Sequence, residues 1–261
     1  MNPGWEVPGF EAEVFGGRVH SYALVIPVLN EGERIRAQLI RVQAVGAAVD
    51  VVVADGGSSD GALEAGFLAG AGVRALLVKT GPGRLSAQLR MAYAWCLEEG
   101  YAGVVTMDGN GKDGVGAIGA FVERLDAGYA YVQGSRYVRG GVAVNTPWDR
   151  RVAGRLVHAP LLSLAGRRWY TDTTNGFRGY SAEYLRDARV APFRAVFERY
   201  SLLFYLTMRA GQLGYRTCEI PVERGYPAGE RTPTKIAGFR GRVAMMGELW
   251  DVVRGRYRPA K

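Results

Sequence analysis

Ala102-Gly-Val-Val-Thr-Met-Asp-Gly-Asn-Gly-Lys-Asp113 decides how this chain is read. Residues 102–107 have the short, apolar, β-branched character of a buried strand. The end of that strand delivers an acid, an amide, a lysine and a second acid in close succession. In an open α/β sheet, ligands bind at the carboxyl ends of the strands. A carboxylate there, with further oxygens beside it, suits a hard cation such as Mg²⁺ or Mn²⁺ that also holds substrate phosphates. The same residues equally suit a plain Asp-Gly or Asn-Gly turn, so the neighbouring segments have to decide.

Working outward, short apolar strands alternate with amphipathic helices. Strands are predicted at 22–28, 50–54, 73–78, 102–107 and 129–133, and helices at 31–45, 60–71, 85–99 and 114–127. This alternation predicts an α/β fold with a mainly parallel sheet flanked by helices on both faces. After about residue 135 the pattern loosens. Helices are predicted at 149–165, 196–210 and 236–253, and strands at 176–180 and 215–222. No repeat or linker interrupts the chain, so a single domain is expected over 1–261. Three strand ends then fall on one edge of the sheet: Pro27-Val-Leu-Asn-Glu31, Asp55-Gly-Gly-Ser-Ser-Asp-Gly61 and the Asp108 turn. Acids and amides beside glycines form a polar crevice that a nucleotide would fit, its base and ribose held by carboxylates. The glycines at 56 and 57 let backbone approach a ligand closely, while Ser59 or Asp60 also suits a helix N-cap.

The 261 residues are 48% hydrophobic, enough for a sizeable core. Cys96 and Cys218 are far apart and form neither a disulfide framework nor a metal knuckle, which fits a reducing cytoplasm. The N-terminal residues lack the order of a signal peptide, and no run of about 18 apolar residues exists to span a bilayer. The net charge of +8 is uneven, with nine Lys/Arg against three acids between Arg224 and Lys261. Such a segment suits an anionic partner, or an ordinary basic surface. Its helix, rich in Met, Trp and Arg, suits either an anionic membrane surface or packing on the domain. His20 and His158 assemble no catalytic or metal constellation; His158 lies among Leu156, Val157 and Leu161 and reads as a core or helix-face residue.

Val25-Ile-Pro-Val-Leu-Asn-Glu31, Ala54-Asp-Gly-Gly-Ser-Ser-Asp-Gly61 and Met107-Asp-Gly-Asn110 resemble successive motifs of the family 2 glycosyltransferases. The likeness continues through Gly134-Ser-Arg-Tyr137, Asp172-Thr-Thr-Asn-Gly-Phe-Arg178, Glu219-Ile-Pro-Val222 and Arg231-Thr-Pro-Thr-Lys235, over roughly residues 22–236. The later motifs are most similar to those of the dolichyl- or polyprenyl-phosphate sugar transferase branch. The resemblance implies the GT-A (Rossmann-like) fold, a nucleotide-diphospho-sugar donor, Mg²⁺ or Mn²⁺, and inverting displacement. It implies a lipid-phosphate or glycan acceptor, no nucleic acid, and a cytoplasmic protein, peripheral at the inner face of the membrane. Residues 20–135 become the nucleotide-sugar half, 136–235 the acceptor-side half and 236–261 a basic amphipathic helix. Pro27, Asn30, Glu31 and Asp55 would contact base and ribose, with Arg136 also on the donor. Asp108 and Asn110 would hold the metal, and Arg178, Arg231 and Lys235 the phosphates. Arg offers phosphate a bidentate fork and Lys a movable point charge.

The sequence also departs from that pattern. Asn110 stands where the second acid of the metal motif is usual, and Lys112 where a neutral polar residue is common. An amide oxygen can ligate a divalent ion but brings no charge. Lys112 would take over part of the metal's charge, and Asp113 is an alternative ligand. A hydroxyl acceptor would require a general base, for which Asp172 and Glu198 are candidates, whereas a phosphate acceptor is already ionised. Two other functions fit less well. A sugar-nucleotide nucleotidyltransferase would want a glycine-rich basic loop after the first strand. A degenerate, non-catalytic sugar- or lipid-binding module would explain Asn110.

Overall fold

The computed structural model of the chain describes residues 2–226 and 238–259. In chain order the first half contains β1 (Phe10–Val14), β2 (Tyr22–Val28), α1 (Glu33–Val45), β3 (Asp50–Asp55), α2 (Ala65–Gly70) and β4 (Val73–Lys79). It continues through α3 (Leu85–Glu98), β5 (Gly103–Thr106), α4 (Ile118–Asp126) and β6 (Tyr131–Ser135). The second half contains β7 (Val142–Val144), α5 (Trp148–Ala153), a π turn at Gly154–His158, α6 (Ala159–Gly166), β8 (Arg178–Ser181) and α7 (Ala182–Arg186). It ends with α8 (Ser201–Gln212), β9 (Thr217–Pro221), β10 (Glu223–Gly225) and α9 (Gly238–Val253).

Eight strands form one sheet in the order β1-β4-β3-β2-β5-β8-β6-β9, and β10 pairs with β7 in a separate ribbon. β4, β3, β2 and β5 run parallel, and β9 runs parallel to β6. Two strands run against the rest, β8 between β5 and β6, and β1 on the edge of β4. β1 is absent from the sequence expectation because its alternating Phe-Glu-Ala-Glu-Val buries little and reads as polar loop. Its two glutamates suit an exposed sheet edge, where charge discourages pairing with another chain.

Both faces of the sheet are covered, as the continuous apolar runs of β2 and β3 require. Alternation along β2 sends Ala23 and Val25 into one core with Leu89 and Tyr93 of α3 and Leu202 and Leu206 of α8. It sends Leu24 and Ile26 into the other, with Ile35 and Leu39 of α1 and Phe121 and Leu125 of α4. α3 is buried from Ser86 to Leu97, so it is a sandwiched rather than an amphipathic helix. α2 is shorter than expected: residues 60–64 form a turn, and Asp60 receives the amides of Gly32 and Ala62 instead of capping a helix.

Candidate active site

The parallel pairing of β2 with β3 sets Val28 opposite Asp55, so the first two loops leave the sheet side by side. Asn30 has a left-handed φ of 48°, a conformation asparagine tolerates better than most residues. Its backbone N–H donates to Ser58 Oγ at 2.9 Å, and the Ser59 N–H donates to Asn30 Oδ1 at 2.8 Å. The Asp55 carboxylate accepts the Ser58 N–H and, at 2.6 Å, the Ser58 hydroxyl. Below them, buried Gln88 of α3 donates to the carbonyls of Val28 (2.8 Å) and Ala54. Pro27, Asn30, Glu31 and Asp55 are thus brought together, with Asn30 exposed, Pro27 and Glu31 half-buried and Asp55 turned into its own loop.

The third loop is clamped from α1. Gln38 Nε2 donates to the Asp108 carbonyl at 2.9 Å, and its Oε1 accepts the Gly111 N–H at 2.8 Å. Gly109 lies so close to β2 that a Cβ there would stand 2.9 Å from the Pro27 carbonyl oxygen. Gly176 presses closer still on the Asp108 side chain, where a Cβ would meet Oδ1 at 2.4 Å. These two close approaches explain why glycine is needed at both positions.

Onto this loop comes Arg224, which was not singled out in the sequence. Its Nη2 donates to Asp108 Oδ2 at 2.8 Å, and its Nη1 donates to both oxygens of Asp113 at 2.7 and 2.8 Å. Backbone pairing aims it. The Gly114 N–H donates to the Glu223 carbonyl (3.0 Å) and the Gly225 N–H to the Lys112 carbonyl (2.8 Å), while β7 holds the other side of β10. Asp113 is fully enclosed, but 28% of the Asp108 side chain remains exposed. Burial pushes the Asp108 carboxyl upward, yet the Arg224 charge and hydrogen bond, with Lys112 and Arg178 behind them, hold it below its ordinary value. Burial and the neighbouring Arg224 lower the Lys112 ammonium. Its Nζ stands 5.1 Å from the Tyr226 ring centre, and the Arg150 guanidinium stands 5.8 Å from the same ring. Among the described residues around the Asp108 turn, then, Arg224, Lys112, Arg150 and Arg178 outnumber the carboxylates of Asp108 and Asp113.

The remaining expected residues divide. Arg136 and Asp172 lie at the same edge, bound to each other: Arg136 Nε and Nη2 donate to the two carboxylate oxygens at 2.7 and 2.8 Å, and the Arg136 N–H adds a third bond. Burial opposes the Asp172 charge, but Arg136 outweighs it and keeps the carboxyl below its ordinary value. Such a carboxylate is a poor proton acceptor. Arg178 corrects the expectation of a phosphate-binding role. It is 1% exposed, and its guanidinium donates to the carbonyls of Asn175, Thr173 and Leu203 and to the Thr207 hydroxyl. It therefore fixes the 172–177 turn on α8 and acts on the crevice only through its charge. Glu198 is exposed in a loop before α8, not at a helix start, and its carbonyl accepts the Arg84 N–H. Arg231 and Lys235 lie outside the described residues.

The donor atoms present do not suit the expected Mg²⁺ or Mn²⁺. Asp108 is paired with Arg224 through Oδ2. Asn110 is neutral, with Oδ1 turned to the Lys112 N–H at 3.3 Å. Asp113 is consumed by Arg224, and among the described residues no group of three His, Cys, Asp or Glu side chains could hold a metal ion. A divalent ion here would lie against two cations, where like charges repel it.

No family model matches the chain. It is 30% identical over 208 residues to an undecaprenyl-phosphate mannosyltransferase of Micrococcus luteus, covering 76% of this chain and 81% of that protein. It is 29% identical over 239 residues to a polyprenol monophosphomannose synthase of Mycolicibacterium smegmatis, covering 89% and 87%. Among solved structures, glucosyl-3-phosphoglycerate synthase from Mycobacterium tuberculosis, in complex with Mn²⁺, UDP and phosphoglyceric acid, matches with a TM-score of 0.62. At 17% identity over 93% of this chain and 80% of that one, the likeness is one of fold.

Proposed function

The chain belongs to the family 2 glycosyltransferases of GT-A fold, in their polyprenyl-phosphate branch, and from that premise we propose that it transfers a sugar from a nucleotide-diphospho-sugar to a polyprenyl phosphate. The observation that carries this assignment is the excess of cations around Asp108, set at the strand ends beside the laced Asn30 and Asp55 loops. A crevice of that kind receives a nucleoside on its polar side and a diphosphate on its basic side.

Transfer breaks the bond between the anomeric carbon and the donor's phosphate oxygen. The electron pair leaves with the nucleoside diphosphate, and an acceptor phosphate oxygen forms the new bond from the opposite face, with inversion. Arg224 and Lys112 stabilise the charge that grows on the leaving diphosphate. Asn30, Glu31 and Pro27 orient the nucleoside, and Asp108 holds Arg224. No proton has to be removed from a phosphate acceptor, which agrees with Asp172 being tied to Arg136 rather than free to act as a base. The expected divalent ion would find only the ion-paired Asp108 and the neutral Asn110, so the charge chemistry is assigned to side chains.

No described helix is long and apolar enough to cross a membrane, so a lipid acceptor has to be met at a surface. Two outward stripes suit that contact. Trp148, Val152 and Leu156 lie on α5 and the π turn beside Arg150, Arg151 and Arg155, and Val243, Met246 and Trp250 lie on α9. Apolar side chains flanked by arginines favour an anionic bilayer interface.

The test is a thermal-shift panel of UDP-, GDP- and CDP-sugars, followed by mass spectrometry of products made with polyprenyl phosphate or with the unphosphorylated polyprenol. Stabilisation by a nucleotide sugar and transfer to the phosphate alone are the expected outcomes. Failure of every nucleotide sugar to stabilise the protein, or equal transfer to the alcohol, overturns the assignment.

A further inference from the structure

We propose that this crevice neutralises the donor's diphosphate with its own cations, Arg224 and Lys112, so that nucleotide binding and sugar transfer need no divalent ion. The proposal rests on the nucleotide-diphospho-sugar donor assigned above and concerns how its charge is met. Three observations carry it. First, the partly exposed carboxylate of the turn, Asp108, is already paired through Oδ2 at 2.8 Å with a guanidinium, and its Oδ1 lies against Gly176. Second, that guanidinium is held in place from behind: Asp113 takes Nη1 through both oxygens, and the 112–114 backbone pairs with β10 on either side of Arg224. A charge fixed in this way loses little freedom when a ligand arrives, which is the condition for effective electrostatic stabilisation. Third, the two nearby positions that could add charged oxygens to a metal carry instead a neutral amide, Asn110, and an ammonium, Lys112, with Arg150 5.8 Å from the centre of the same Tyr226 ring.

The ion balance favours the same conclusion. Among the described residues around this turn, the four cations Arg224, Lys112, Arg150 and Arg178 stand against the two carboxylates Asp108 and Asp113, an arrangement that attracts a diphosphate. A divalent ion would increase that excess at a point within contact distance of Arg224, and the repulsion is severe in a partly buried site. Asp108 then acts as a positioning residue, holding Nη2 of Arg224 at 2.8 Å.

Isothermal titration of the whole chain with UDP and GDP, in EDTA and in millimolar Mn²⁺, tests the proposal directly. The tighter-binding nucleotide is expected to bind with dissociation constants within about tenfold of each other in the two buffers. A larger loss in EDTA overturns the proposal while leaving the donor assignment standing. Failure of both nucleotides to bind in either buffer overturns the donor assignment and this inference together. Because Arg224→Leu would leave Asp113 buried without its partner and risks misfolding, the variants used are Arg224→Lys and Lys112→Gln. Lys112→Gln is expected to weaken nucleotide binding in EDTA by about tenfold or more, removing one direct phosphate contact. Unchanged affinity overturns the role of Lys112. The double variant Asn110→Asp/Lys112→Gln restores an acid and removes the competing cation. Mn²⁺ electron paramagnetic resonance is expected to show the ion bound to that variant with UDP and free with the wild-type chain and UDP. Equal Mn²⁺ uptake by both proteins overturns the proposal.

Discussion

Asp108 and Arg224 form a pair whose two members have unequal anchors. Arg224 keeps Asp113 if Asp108 is removed, whereas Asp108 has Arg224 as its short charged contact. Asp108→Ala should therefore fold, and its thermal midpoint should stay close to wild type. Loss of the steering contact should nonetheless lower the transfer rate by about 10²–10³, the range seen when a preorganised charge stabiliser is disturbed. Initial-rate measurements alongside a melting curve check this, and full retained activity would sink the role given to Asp108. His158 supplies a pH prediction. It is buried, bonded to Thr173 Oγ1 at 2.8 Å and edge-on to Phe204. Burial, with Arg178 adding to it, lowers its pKa from 6.5 to about 3. An imidazole depressed in the folded state contributes stability in full above pH 6.5, and that contribution is lost as the pH falls toward 3, because the unfolded chain takes up the proton first. Urea unfolding at pH 5 should show a loss on the order of 2 kcal/mol relative to pH 7. The same loss in His158→Gln would show that other groups are responsible.

At the scale of elements, the crevice is held open by side chains that tie one element to the next. Gln88 on α3 is 5% exposed and donates to the ends of both β2 and β3. Gln88→Met keeps the shape but removes the donor, leaving two buried carbonyls without it. This should destabilise the chain by about 1–3 kcal/mol and weaken nucleotide binding, because the Asn30 and Asp55 loops begin at those strand ends. Chemical denaturation with nucleotide titration tests it, and unchanged values of both would refute the clamp. Strands β2, β3, β4 and β5 were legible because each is a short apolar run followed by turn residues. Their acidic ends announced the crevice for the same reason. β10 was not legible: Glu223-Arg-Gly225 is too short and too polar to signal a strand, and its partners are residues 112–114 and β7, far away in sequence. Arg224 was hidden with it, although an arginine just beyond the Ile-Pro-Val strand end was a usable hint. Arg178 misled in the opposite direction, since a motif string cannot show that a guanidinium faces the carbonyls of Thr173, Asn175 and Leu203.

For the whole molecule, the decisive asymmetry is where apolar side chains are left outside. The C-terminal helix packs on the domain through Leu249 and Val252, which are fully buried, while Val243, Met246 and Trp250 remain outward. The sequence offered that helix for either a membrane surface or packing on the domain, and larger exposed groups lie on the segment after β7. Trp148 is 77% and Leu156 71% exposed. The inner side of that segment rests on the site, with the Arg155 guanidinium 5.0 Å from the Tyr137 ring and Arg150 over Tyr226. A bilayer touching its outer stripe would thus bring a lipid phosphate to the mouth of the crevice. An exposed apolar side chain contributes little to folding, so Trp148→Ser/Leu156→Ser should keep the wild-type melting temperature. Binding to vesicles containing an anionic lipid should weaken, by about tenfold for the apolar area lost from the interface. Transfer to membrane-embedded polyprenyl phosphate should fall in parallel, while transfer to a short, water-soluble prenyl phosphate should not. Co-sedimentation with vesicles and paired assays on the two acceptors decide the matter. If vesicle binding persists in the double variant but disappears in Val243→Ser/Trp250→Ser, the membrane contact belongs to α9 and the α5 stripe has another use.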